Sequence, residues 1–446
     1  MKKAMVHNAA TDFLQAEALS LLHRLEQLQP FSLTMPMVPA AAVSDEAMKG
    51  ITDNIVSGQG ELRQRIQNFI YWLMNTEGGK SATPEQQQLR FSMLKLRFNA
   101  LLDQLDIFAD VLAQRAEHNN GVWVAGLDVL ASDALNVVKP FVKIKDIPPL
   151  MCFLERGHGA AIRRARTRLP GGSLNPVGVI QVPRERMVGS GIGASLIHEV
   201  GHQGAALLDL VISLRSALRE REQNDKARAS AWKMLSLWIS EIVSDFWSMG
   251  HLGVSATTGL MNVVSLPKYF VFRVQLDDPH PFPWIRVRLS IEMGKRLFPD
   301  TQWSKLEQLW HQLYPTEGLP AEVRQVIVLL EKTIPDFINL LTDHAPKALR
   351  GKKLKDIFHL EKRQPKTLRE LFTAWKKQPH QVAYAPPSLV FAVIGQARYD
   401  RLLTPSVEAK YLSVWLTRWA QARAEDRLNP RALLPLDGVK RLKTAA

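Results

Sequence analysis

Residues 194–208 read Ala-Ser-Leu-Ile-His-Glu-Val-Gly-His-Gln-Gly-Ala-Ala-Leu-Leu, which predicts a buried helix with two histidines four positions apart. Residues four apart lie on one face of a helix, so the rings of His198 and His202 can reach one metal ion at about 2.0–2.1 Å. Burying both rings together with Glu199 is costly without a partner, and zinc is a suitable one. The alternative is a pair of structural histidines in a helix core.

Glu199 has the position of a general base. It stands about 100° around the helix from His198, beside a shared metal without having to bind it. A carboxylate at this place can take a proton from an attacking water molecule. The spacing therefore predicts two ligands and a base on a single helix.

A catalytic zinc site uses three protein ligands, so a third is required. Ala205 and Leu208 stand where the metzincin pattern has glycine and histidine, which excludes that pattern. A second apolar helical stretch, residues 231–250, instead offers Glu241, with Asp245 four residues later on the same side. Asp245 can accept the free ring N–H of a ligand histidine and so fix its tautomer. The alternative is two solvent-facing acids on an amphipathic helix.

A His-Glu-x-x-His helix followed by a Glu-x-x-x-Asp helix resembles the gluzincin peptidases. Ser240 precedes Glu241 where the family pattern has asparagine, which affects the support of the second histidine. The resemblance implies a zinc-dependent endopeptidase with these roles: metal ligands His198, His202 and Glu241, general base Glu199, and Asp245 orienting a ligand histidine.

Residues 277–286 read Asp-Asp-Pro-His-Pro-Phe-Pro-Trp-Ile-Arg and resemble the His-Pro-x-x-x-x-Arg segment of M48-type peptidases, the Ste24-like and HtpX-like gluzincins. Members of that family are often embedded in membranes, and the resemblance implies a soluble relative of them. The whole resemblance covers residues 175–295 and places His280 and Arg286 at the active-site cleft. It implies that His280 donates to a tetrahedral oxyanion and that Arg286 braces an acidic group at the metal. The alternative for His280 is a surface position in a rigid proline-rich loop.

Residues 177–182 are rich in β-branched side chains between two prolines and predict a strand. As the edge of a sheet beside the metal, this strand would pair with the backbone of a polypeptide substrate through Val179 and Gln181. An inner strand buried on both faces is an equally good interpretation.

The chain as a whole predicts an α+β fold that is predominantly helical. The helix that carries the two histidines is expected to continue to about Leu218, and the stretch at 231–250 to form one helix. The expected regions are a helical N-terminal part at 1–120, a zincin-like core with a small β-sheet at 121–300, and a helical C-terminal part at 301–446.

The chain is basic, with 57 Lys and Arg against 43 Asp and Glu and a net charge of +14. This charge favours acidic polypeptide substrates, whereas a solvated basic surface is the alternative, since no dedicated nucleic-acid motif accompanies it. Two rival functions remain at this point. One is a catalytically inactive, zinc-stabilised scaffold or binding protein, and the other is a basic nucleic-acid-binding protein.

Cys152 is the one cysteine, which excludes an intrachain disulfide. No long apolar segment follows the N-terminal Met-Lys-Lys, and the longest uncharged stretch near the middle, residues 246–267, is diluted by polar residues. These features favour a soluble cytoplasmic protein without a transmembrane segment.

Overall fold

Helices make up most of the molecule. The structure, a computed structural model, describes residues 9–157, 159–183, 189–275 and 277–428. Within these residues the chain forms 18 α-helices and one three-stranded sheet. The prediction of a predominantly helical α+β fold is therefore confirmed.

The elements follow one another in three groups along the chain. Before the sheet come α1 (Ala9–Glu26), α2 (Phe31–Thr34), α3 (Asp45–Asn75), α4 (Glu77–Lys80), α5 (Pro84–Ala113) and α6 (His118–Leu135). The strands and the helices that follow them are β1 (Leu150–Glu155), β2 (Ala161–Arg163), β3 (Gly178–Pro183), α7 (Ser190–Leu207), α8 (Leu210–Asn224), α9 (Ala229–Leu237), α10 (Ile239–Leu252), α11 (Val254–Val264), α12 (Lys268–Val271) and α13 (Pro283–Leu297). The last group comprises α14 (Gln302–Leu313), α15 (Ala321–Asp343), α16 (Pro365–Lys377), α17 (Pro387–Tyr399) and α18 (Pro405–Leu428).

Polar caps define the starts of the two long N-terminal helices. The Ser44 side chain accepts a hydrogen bond from the Ala47 amide at the start of α3. Thr83 and Gln86 form a reciprocal capping box at the start of α5. These caps satisfy amides that have no partner inside the helix and so fix where each helix starts.

The sheet has the order β1-β3-β2, with β3 parallel to β1 and antiparallel to β2. β3 is therefore the central strand, and the prediction that residues 177–182 form a substrate-pairing edge is wrong. The backbones of Val179 and Gln181 already lie opposite residues of β1 on one side and of β2 on the other. Val179 also packs into an apolar cluster with α3 and α5, whereas Ile180 packs on the opposite face. Burial on both faces explains the continuous apolar sequence of this strand.

Two helices predicted as continuous are each divided in two. The helix of the two histidines ends at Leu207, and Asp209 adopts a left-handed conformation (φ 50°) before α8 begins. The stretch 231–250 breaks at Trp238, so that Glu241 lies in the first turn of α10. Apolar periodicity continues across both breaks, and for that reason the sequence pattern did not reveal them.

One large apolar core joins the central and C-terminal parts of the chain, from Val124 on α6 to Trp419 on α18. α1, α3 and α5 bury a separate cluster between them. The division into regions at residues 120 and 300 stays a prediction.

The stretch His118–Val138, which includes α6, is long and apolar enough to cross a membrane by length and composition. It is one such stretch among the described residues, and 67% of its apolar window is buried inside the molecule. Core helices of this length share the same composition.

Candidate metal centre

The centre forms where α7 crosses α10 at very short range. A Cβ atom added to Gly201 would lie 2.8 Å from Ser244 Cα and from Trp247 Cβ. One added to Gly204 would lie 2.5 Å from the Trp247 ring. The absence of side chains at these two positions lets the helices approach closely enough for their polar residues to meet.

Two imidazoles and one carboxylate converge at this crossing. His198 Nε2 lies 3.2 Å from Glu241 Oε2, and His202 Nε2 lies 3.4 Å from Glu241 Oε1. The ligand atoms of these three residues all lie within 4.8 Å of one another. The structure thus brings together residues 43 and 39 positions apart in sequence, and the group can hold a metal ion.

The spacing of the three side chains suits a small tetrahedral cation. Ligands bound to zinc at about 2.0–2.1 Å in a tetrahedron are about 3.3–3.4 Å apart. The two nitrogen–oxygen distances, 3.2 Å to Glu241 Oε2 and 3.4 Å to Glu241 Oε1, are close to that separation. Two imidazole nitrogens and one carboxylate are also a usual donor set of catalytic zinc, so the residues present fit the ion.

Asp245 supports His198 from behind. Its Oδ1 lies 2.8 Å from His198 Nδ1 and accepts a hydrogen bond from that nitrogen. Arg286 donates to both Asp245 oxygens, from Nε at 2.7 Å and Nη2 at 2.8 Å, and its Nη2 lies 3.8 Å from Glu241 Oε2. The structure thus has Asp245 and Arg286 next to His198 and Glu241, as the resemblance implied. Holding Nδ1 as a donor leaves Nε2 of His198 facing Glu241.

His202 has weaker support. Its Nδ1 lies 3.5 Å from Ser240 Oγ, at the limit of a hydrogen bond. An asparagine side chain would reach further than this serine, and the departure from the gluzincin pattern at this position is thus visible in the geometry.

Glu199 faces the cleft beside the ligand group. The residue is 8% exposed, and its carboxylate accepts no hydrogen bond from the residues that the structure describes. A cleft of about 230 Å³ opens beside it, lined also by Gly159 and Ala160 next to the edge strand β2. An unpaired carboxylate next to two ligand histidines is available to accept a proton.

His280 reaches the centre from the segment that precedes α13. Its Nε2 lies 3.3 Å from Glu241 Oε2, and its Nδ1 lies 2.8 Å from Asp278 Oδ1. His280 is thus held at the cleft by Asp278, a residue that the sequence reasoning missed. The signal that was available is the spacing of Asp278 two residues before His280, which lets the Asp278 carboxylate accept a local hydrogen bond from the His280 amide as well.

The charges of the centre change the pKa values of its members. Burial by itself lowers the pKa of His198, but Asp245 and Glu241 outweigh burial and raise that pKa to about 9. Burial by itself raises the pKa of Glu241 and of Asp245. His198 and His202 outweigh burial at Glu241 and lower its pKa. Arg286 and His198 do the same for the pKa of Asp245. Both carboxylates are therefore ionised at neutral pH.

No protein family model, curated protein or solved structure matches the chain.

Proposed function

We propose that the protein is a zinc-dependent endopeptidase of the gluzincin type, built on a zincin-like core around α7 and α10. One observation carries the proposal. The Nε2 atoms of His198 and His202 converge on the Glu241 carboxylate, while Glu199, one residue along the same helix, stays unpaired and faces a cleft. A free carboxylate at that point is what a general base requires.

Zinc bound by His198, His202 and Glu241 would supply a Lewis acid that polarises the scissile carbonyl and acidifies water. Glu199 takes the proton of the attacking water on a carboxylate oxygen and then delivers it to the nitrogen of the leaving amine. His280, which Asp278 holds at Nδ1, would donate from Nε2 to the oxyanion that develops on the substrate.

A polypeptide is the substrate that this arrangement favours. β2 is the edge of the sheet next to the cleft, and its outer side pairs with no other described strand. An extended chain can add to such an edge through main-chain hydrogen bonds, largely independently of its sequence. We therefore propose that the substrate pairs with β2, in place of Val179 and Gln181 of β3. The net charge of +14 favours acidic polypeptides.

Metal analysis tests the centre. Purified protein should contain close to one zinc per chain, and His202→Ala should lose it, because two ligands bind zinc far more weakly than three. Elemental analysis after removal of loosely bound metal measures this. An equal zinc content in the wild type and in His202→Ala would show that the ion binds at another site.

Hydrolysis of an unfolded protein tests the role of Glu199. Glu199→Gln should keep the zinc of the wild type and lose at least about a hundredfold in rate, because an amide cannot accept the proton. Gel and mass-spectrometric analysis of casein digests measures the rate. Zinc retained by a wild type that hydrolyses nothing would favour the scaffold alternative over the peptidase.

A further inference from the structure

A second cleft borders the first beside the candidate metal centre. It has a volume of about 230 Å³, and His280 and Arg286 line both clefts. The other lining side chains of the second cleft are mostly apolar: Val264, Leu266, Phe270, Pro281, Phe282 and Pro283. A chain bound across His280 would therefore run directly from the proposed catalytic residues into an apolar surface.

The mouth of this cleft exposes bulky apolar side chains. Leu266 and Phe270 are each 46% exposed, and the neighbouring Tyr269 is 71% exposed. Exposed apolar side chains scattered singly are ordinary, but a group within five residues beside a cleft marks a binding surface. The backbone under them is held in place, since Tyr314 Oη donates to the Leu266 carbonyl at 2.9 Å.

One positive charge in the second cleft is left without a partner. Arg273 is exposed, and its guanidinium makes no ion pair or hydrogen bond within the described part of the chain. The other charged groups of the cleft are engaged, because Asp278 accepts from His280 and Arg286 donates to Asp245. The cleft therefore combines an apolar wall with an unopposed guanidinium, which suits a carboxylate.

We infer that the second cleft is a specificity site, which binds a large apolar side chain of the polypeptide substrate against Leu266 and Phe270 and an acidic side chain against Arg273. The inference rests on the proposed peptidase function and narrows its substrate class. His280 and Arg286 border both clefts, and this adjacency to the catalytic cleft makes the substrate itself the occupant that we propose. The unpaired charge of Arg273 favours substrates in which an acidic residue lies near the apolar one.

Peptide binding to the zinc-loaded Glu199→Gln protein tests the site without turnover. The probes are blocked, fluorescein-labelled, alanine-rich decapeptides with one Phe and one Glu at every spacing from one to four residues. Matched sets carry Lys in place of Glu, or Ala in place of Phe. Fluorescence anisotropy at low salt gives each affinity in this protein and in three further variants of it: Arg273→Glu, Phe270→Ser and Arg219→Glu. Arg219 is the control, an exposed arginine on α8 that lines neither cleft.

At one of the four spacings between Phe and the charged residue, the Glu peptide should bind about fivefold more tightly than the Lys peptide, as an exposed ion pair allows. Arg273→Glu should reverse this preference, Phe270→Ser should abolish the preference for Phe over Ala, and Arg219→Glu should change neither. Absence of either preference, or preferences that survive both cleft variants, would overturn the inference. The zinc-loaded wild type is then given the tightest peptide. Preferences that follow Phe270 and Arg273 without any hydrolysis would sink the peptidase proposal and leave the cleft as a polypeptide-binding site.

Discussion

Asp245 accepts hydrogen bonds from two sides at once, from His198 Nδ1 and from Arg286. A buried carboxylate is stable only when charged or polar partners surround it, and these two neighbours lower its pKa despite burial. The orientation of the His198 imidazole on α7 thus depends on Asp245 of α10, and Asp245 is held in turn by Arg286 of α13.

Replacing this carboxylate should weaken the metal site. Asp245→Asn keeps the shape of the side chain but removes the charge that orients His198, so we expect zinc affinity to fall about tenfold to hundredfold. Competition with a chromophoric chelator measures the affinity. Asp278→Asn is the matched control, because Asp278 contacts His280 and no ligand histidine, and it should bind zinc as the wild type does. Equal losses in both variants would contradict the role given to Asp245.

At the scale of the elements, the α7–α10 crossing decides whether the three ligands meet. Gly201 lies between His198 and His202 on the same helix. The space that a side chain would need there is occupied by the backbone of Ser244 and by Trp247. The break at Trp238 contributes as well, because it starts α10 just before Glu241. The carboxylate then lies in the first turn, where the helix dipole favours a negative charge.

A methyl group at this crossing should separate the helices. In Gly201→Ala the new Cβ meets atoms at 2.8 Å, so the helices must shift, at a cost of about 1–3 kcal/mol in the free energy of unfolding. Zinc affinity should fall together with stability, because Glu241 moves away from both rings. Chemical denaturation and chelator competition measure the two effects.

Gly60→Ala provides the control for that substitution. Gly60 lies inside α3, and an added Cβ would meet nothing within 4 Å. Alanine there should stabilise the protein by about 0.5–1 kcal/mol through helix propensity and leave zinc affinity unchanged. A Gly201→Ala protein with normal zinc affinity would show that the close crossing is not required for the site.

At the scale of the whole molecule, the C-terminal part of the chain supports the start of the histidine-bearing helix. Glu408 on α18 is 6% exposed, and its Oε1 accepts from the Ser190 amide at 2.9 Å and from Ser190 Oγ at 2.7 Å. The first amides of a helix have no partner inside it, and a carboxylate there also suits the helix dipole. α7 is thus capped by a residue 218 positions away.

Removing this cap should loosen α7 without touching the metal ligands. Glu408→Ala should lower the free energy of unfolding by about 1–2 kcal/mol, the usual cost of a lost N-terminal cap. It should also speed amide hydrogen exchange in the first turn of α7. Glu425→Ala, at an exposed position on the same helix, should change neither quantity. Identical exchange rates in the two variants would argue against the capping role.

The residues of the candidate site were largely predictable, and their surroundings were not. His198, Glu199 and His202 follow from spacing within one helix, and Glu241 with Asp245 from spacing within another. Asp278 was missed although its contact with His280 is local, because only the fold shows that His280 lies against Glu241 and thereby gives that contact a role. Glu408 could not be found from sequence at all, since nothing in residues 405–428 indicates which helix they cover.

The amino-acid sequence by itself determined the chemistry available to this protein: which side chains share a helical face, and that helices would dominate. Such properties depend on periodicity within a few residues, where the geometry of one helix decides the outcome. Only the tertiary structure decided that β3 is the central strand, that two long helices break, and that Arg273 lies in a cleft beside the candidate metal centre. These features depend on packing between distant segments, where many small burial and hydrogen-bonding energies compete and local pattern carries little information.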